Sequence, residues 1–136
     1  MAYIRTEEVA EIRKALKAKY GSKFKFSVTR RDRGLAVTVA IMAGKTDFSD
    51  LWADKKSGDY GHGYRDINCY HITEANYDKH AKLFSDIVKI IKTAPAKAEG
   101  GRAWFDESDA MTGYFHTAYY FDLHVGKWDR AYEKKA

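Results

Sequence analysis

One cysteine, one proline and no long apolar run mark the 136 residues of this chain. A lone Cys69 cannot close an internal disulfide, which suits a reducing cytoplasm. Roughly 20 consecutive apolar residues are needed to span a bilayer, and nothing here approaches that, so no membrane role is expected. The opening MAYIRTEEVAEIRK turns acidic and helical at once and lacks the apolar middle of a secretory signal. Signature motifs are missing too. Among the five histidines (His62, His71, His80, His116 and His124) there is no HExxH or HxH pair. GDYGHGY at 58–64 has the glycines of a phosphate loop but no helix behind it. The expectation is neither metal nor cofactor.

What is present is the balance of a folded domain, 45% hydrophobic and 32% charged, in a length that suits one core over residues 1–136. The net charge of +5 is uneven. Residues 1–34 hold ten Lys/Arg against four Asp/Glu, a segment of +6, and the remaining 14 basic and 15 acidic residues sum to −1. Such asymmetry points to an acidic partner, either nucleic acid or an acidic protein surface, although a solvated helix and a charged turn would look the same.

Along the chain, Thr6 reads as an N-cap with Glu7 and Glu8 at the positive end of a helix. Val9, Ile12, Leu16 and Tyr20 recur at helical spacing up to Gly21. KFKFSVT alternates Phe24, Phe26 and Val28 with polar residues, the period of a half-buried strand. Arg31-Asp32-Arg33-Gly34 is a turn, and Leu35, Val37, Val39 and Ile41 alternate in the returning arm of a hairpin. A long loop is expected at 44–63, a third strand in YRDINCYHI, a second helix over 76–93, a shorter loop at 94–103 opened by Pro95, and a last strand over 118–125. The order α-β-β-β-α-β implies an α+β fold: an antiparallel sheet of about four strands with two helices packed on one face.

The stretch YFHTAYYFDLHVGKWD at 114–129 then divides by parity. Tyr119, Phe121, Leu123 and Val125 face the helices, and Tyr120, Asp122 and His124 face away. Lys23, Lys25, Ser27, Thr38, Asp66, Asn68 and Tyr70 share that outward face by the same count. The aromatic cluster from Tyr119 to Trp128 is expected to be mainly core.

Asp106, Glu107 and Asp109 with His116 could serve a small metal-assisted hydrolase or nuclease, but the run Asp106-Glu107-Ser108-Asp109 also reads as a turn into a helix. Cys69 beside His71 is better explained by same-face strand neighbours than by a nucleophile. Exposed aromatics on a sheet stack unpaired bases, and flanking cations neutralise phosphates. Lys23, Lys25, Arg30, Arg31, Arg33, Tyr70, Tyr120 and His124 are therefore the expected partner or nucleic-acid contacts. No RNP-type aromatic motif accompanies them, and tyrosines also serve protein interfaces.

EIRKALKAKYGSKFKFSV resembles the opening helix and strand of a small family associated with the large polyvalent proteins of phages and conjugative elements. WFDESDAMTGYFHTAYYFDLHVGKWDRAYE resembles that family's closing motif, through Trp104, Asp106, Ser108, Asp109, Tyr114, Phe115, Thr117, Ala118, Tyr119, Tyr120, Val125, Gly126, Lys127 and Trp128. Tyr20-Gly21-Ser22 departs from an aromatic-Pro-Gly turn, and residues 44–63 match nothing in the pattern. The family is named for its setting and carries no catalytic residues over. The resemblance implies a mobile-element protein in a host bacterial cytoplasm, and with it a counter-defence (anti-CRISPR-type) binder of nucleic acid or of a nucleic-acid-handling host complex. A non-enzymatic binding module is the leading expectation. The metal-assisted hydrolase and a self-associating (homodimeric) structural module stand as alternatives.

Overall fold

Helix α1 spans Thr6–Tyr20 and buries Val9, Ile12, Leu16 and Tyr20, the stripe its spacing prescribes. The computed structural model describes residues 3–46, 48, 53–54, 58–59, 65–67, 72, 80–101, 103–106, 117–127 and 130–134. The cap of α1 falls on Arg5 rather than Thr6. The Arg5 backbone N–H donates to Glu8 Oε1 at 3.0 Å, so a glutamate three residues ahead satisfies the amide. At the far end the Gly21 N–H donates to Lys17 O, and a Cβ on Gly21 would stand 2.4 Å from that oxygen, which is why the residue there is glycine.

Strand β1 (Phe24–Arg31) returns through a tight turn at Asp32–Gly34 into β2 (Ala36–Gly44), and the two pair antiparallel. In the turn Arg33 has φ 57° and Gly34 φ 94°, the left-handed geometry that reverses the chain. Within the expected loop 44–63, β3 (Ala53–Asp54) and β4 (Gly58–Asp59) form a small separate antiparallel pair. Then follow β5 (Arg65–Ile67), α2 (Ala81–Thr93), a 3-10 turn at Ala94–Lys97, β6 (Tyr120–Val125) and β7 (Glu133–Lys134). Residues 68–71 of the expected third strand and 73–79 ahead of α2 lie outside the described residues, as do Tyr70, Cys69, His71 and Trp128.

The α+β class holds, but among the described residues the sheet is mixed and has five strands, not four antiparallel ones. Its order is β1-β2-β6-β5, with β7 also against the end of β2. β1/β2 and β5/β6 are antiparallel, whereas β2/β6 and β2/β7 are parallel. The reason is connectivity. Between β2 and β6 the chain runs out through β5 and back through α2, the long crossover that a parallel pair requires. Central β2 accordingly reads as a nearly continuous apolar run, with Ala36, Val37, Val39, Ala40 and Ile41 all fully buried. The last strand starts at Tyr120 and not at 118, because Thr117 and Ala118 pair elsewhere. Ala118 N–H donates to Phe105 O at 2.9 Å, and Thr117 bridges Asp106.

The buried stripes of α1 and α2 (Phe84, Ile87, Val88, Ile91) meet Val37, Val39, Ile41, Leu123 and Val125 in one core. Tyr119 is sunk in it, its hydroxyl donating to Ile91 O. Trp104 Nε1 donates to Tyr119 O at 2.7 Å and Trp104 N–H to Lys92 O at 2.7 Å, which fastens the 103–106 segment across α2 and β6. No helix among the described residues is long and apolar enough to cross a membrane.

Candidate nucleic-acid interface

The outward face of the sheet follows the expected parity, row by row. Arg31, Ala36 and Tyr120 are register partners in one row; Thr29, Thr38 and Asp122 form the next; Ser27, Ala40, His124 and Asp66 the third. Tyr120 is 44% exposed and can present a flat ring. Its row-mate Arg31 is not a free cation. Arg31 Nε donates to Thr38 Oγ1 and to Asp122 Oδ2, each at 3.0 Å, and Arg31 Nη2 lies 2.5 Å from the same carboxylate. His124 Nδ1 sits 3.2 Å from Asp66 Oδ1.

Arg30 is committed to the fold as well. Its Nε donates to Ile4 O at 2.7 Å and its guanidinium lies over the Tyr3 ring at 5.1 Å from the centroid. Arg33 is exposed at the tip of the turn. Lys23 and Lys25 are exposed at the opposite end of β1. From Lys25 to Arg31 the strand extends about 20 Å at roughly 3.3 Å per residue. The expected basic contacts are thus brought together as two separate groups and not as one patch. Tyr70 lies outside the described residues.

Around Lys25 the structure assembles cations that the sequence reading passed over. A recess of about 380 Å³ between the end of α1 and the start of β1 is lined by Arg13, Lys17, Gly21, Phe24, Lys25 and Phe26. Lys25 and Phe26 also line a second recess of about 160 Å³ on the other side, with Ser27, Met42, Lys127 and Arg130. Taken together as one furrow through their shared Lys25 and Phe26, the two recesses are lined by five cations and two phenylalanines, and Glu133 is the one acid among the lining residues. Arg13, Lys17, Lys25, Lys127 and Arg130 form no ion pair with a described residue. By contrast, nearby Lys19 is 3.7 Å from Asp86.

Local chemistry builds the furrow. Arg13 and Lys17 are four apart on α1 and so share its polar face. That spacing was available as a signal in the sequence. Arg13 is held in place by donating from Nη2 to Val28 O at 2.7 Å. Register passes from Lys25↔Ala43 directly to Phe26↔Ile41, leaving Met42 as the extra residue of a β-bulge. Bulges bend a strand and re-aim its side chains, and Met42 lines the second recess beside Lys25 and Phe26. Lys127 and Arg130 arrive from the chain end: Lys127 N–H donates to Arg130 O at 2.8 Å, and β7 then docks beside β2. Nothing local in GKWDRAYE marks that meeting.

Of the residues considered for hydrolysis, Asp106 is exposed and accepts from Thr117 Oγ1 at 3.1 Å. Glu107, Asp109 and His116 lie outside the described residues. Among the described residues no group of three or more His, Cys, Asp and Glu side chains is arranged to hold a metal ion. Comparison with family models, with curated proteins and with solved structures returned no match to this chain.

Proposed function

We propose that this protein is a non-enzymatic binding module that holds nucleic acid in the furrow along β1. One observation carries the reading: five cations converge from α1, β1 and the chain end on aromatic walls, with a single acid among the lining residues. Such an array neutralises phosphates, the sequence-independent part of nucleic-acid affinity. It is also the combination of backbone-tracking charge and aromatic surface used by proteins that hold unpaired strands. Tyr120 on the outward sheet face gives a second aromatic surface beyond the furrow.

The resemblance of both ends of the chain to the polyvalent-protein-associated family supplies the setting: a phage or conjugative-element protein acting in a host bacterial cytoplasm. In that setting a nucleic-acid binder acts as a counter-defence protein, engaging the nucleic acid of a CRISPR-type complex or the complex itself.

The test is electrophoretic mobility of labelled single- and double-stranded DNA and RNA at about 50 and 200 mM salt, a range over which phosphate contacts lose affinity steeply. A shift that weakens strongly with salt supports the furrow as a phosphate site. No shift at either concentration removes nucleic acid as the partner, and an acidic host protein takes its place.

A further inference from the structure

We infer that the furrow selects a single strand, seating one unpaired base in the recess between α1 and β1 while flanking phosphates lie on Lys25, Lys127 and Arg130. This rests on the nucleic-acid reading above and adds the strand state and the place of one base.

Shape is the first ground. A duplex keeps its bases stacked inside and offers a protein its phosphates from a convex surface. The larger recess, at about 380 Å³, has the size of a small-molecule site, and phosphates lying across its mouth would leave it unfilled. An unstacked base is the part of a nucleic acid that can enter.

Composition is the second. Phe24 and Phe26 give the recess aromatic walls, and Phe26 is only partly buried, so part of its ring remains for contact. Every base has a π-face, and stacking on an aromatic ring or an arginine plane is how single strands are gripped without reading sequence. Arg13 brings such a plane already positioned by its bond to Val28 O, so little side-chain freedom is lost on binding.

Continuity is the third. Lys25 and Phe26 line both recesses, and the second recess adds Lys127 and Arg130. A strand can turn one base inward at Phe26 and keep its backbone on the lysines and arginine beyond. The register shift that leaves Met42 unpaired lies at Lys25 and Phe26, and such bulges bend a strand locally.

The experiment is an anisotropy titration of the full chain with one short labelled oligonucleotide in three forms: single-stranded, annealed to its complement, and single-stranded with abasic sites. The intact single strand should bind tightest, and the abasic strand about tenfold more weakly, the effect of losing one stacked base. Phe26→Leu keeps an apolar side chain and removes the stacking surface. It should erase the difference between intact and abasic strands. Abasic and intact strands binding equally, or duplex binding at least as tightly as single strand, would overturn the inference while leaving the furrow a phosphate site. Failure of all three forms to bind would overturn the nucleic-acid reading as well. The comparison of the three forms uses the unaltered protein, so it stands even if Phe26→Leu folds poorly.

Discussion

The two ends of β1 carry similar charge and use it in opposite ways. At the turn end, Arg30 is bound to Ile4 O and stacked on Tyr3, and Arg31 is neutralised by Asp122. At the furrow end, Lys25 meets Arg13, Lys17, Lys127 and Arg130, and none of them pairs with an acid among the described residues. A count of basic residues cannot separate these cases. Arg30 and Arg31 close the fold where the hairpin, the entry to α1 and β6 converge, whereas of the furrow cations Arg13 is bonded to the backbone at Val28 O and none has an acidic partner among the described residues.

The sharpest way to break this contrast is charge reversal at the furrow. Lys17→Glu, Lys25→Glu and Arg130→Glu together should lower nucleic-acid affinity by about 100-fold or more at low salt and flatten its salt dependence, as each lost phosphate contact removes its share of the slope. The thermal midpoint should change little, because all three side chains are exposed. An unchanged affinity, read by titration across several salt concentrations, would dissolve the distinction between the two ends.

Arg30→Ala tests the other end. Losing its charged bond to Ile4 O should destabilise the fold by about 1.5–3 kcal/mol, seen in denaturant unfolding, with nucleic-acid affinity of the folded protein intact. A fall in affinity without a fall in stability would return Arg30 to the interface.

Tyr119→Phe probes the core beneath the sheet. It leaves Ile91 O without its partner and should cost about 1 kcal/mol at neutral pH. Burial, and after it the Glu8 carboxylate, raises the Tyr119 hydroxyl well above its ordinary value. The folded state therefore keeps a proton that the unfolded chain gives up above pH ~10, so stability from this group is full below that pH and falls as pH rises beyond it. Denaturant midpoints from pH 8 upward should show the unaltered protein losing stability faster than Tyr119→Phe. Parallel pH profiles would show that Tyr119 titrates as it does in water.

The smallest effect belongs to Arg31→Ala. Its pair with Asp122 is partly exposed, with side chains at 42% and 34%, and such pairs contribute about 0.2–1 kcal/mol. Affinity for nucleic acid should not change. A measurable weakening would make Arg31 and Tyr120, which flank Ala36 in one row, a second contact surface.

Much of this was legible in the sequence, and for a common reason. Helix α1, the β1/β2 hairpin, its turn and the division of β6 into inward and outward residues all follow from periodicity, because burial on one side imposes a 3.6- or 2-residue repeat. The same repeat is silent about which strand lies beside which, and in what direction. Hence the expected antiparallel sheet proved mixed, and the expected basic patch proved to be two groups. Arg31 and Asp122 are 91 residues apart, so their mutual neutralisation has no local trace. Lys127 and Arg130 likewise share a recess with Lys25 through the pairing of β6 and β7 with β2, which no local pattern reveals.

By itself, then, the sequence determined α1, the β1/β2 hairpin, α2 and β6, the core-facing side of each, and the excess of positive charge in the first 34 residues, but not β3, β4 or β7. Periodicity and composition are local properties, and each segment carries its own. Only the tertiary structure decided which cations are spent on the fold and which are left to line the furrow. Electrostatic pairing and concavity depend on distance in space, and the long crossover from β2 to β6 and the docking of β7 set those distances.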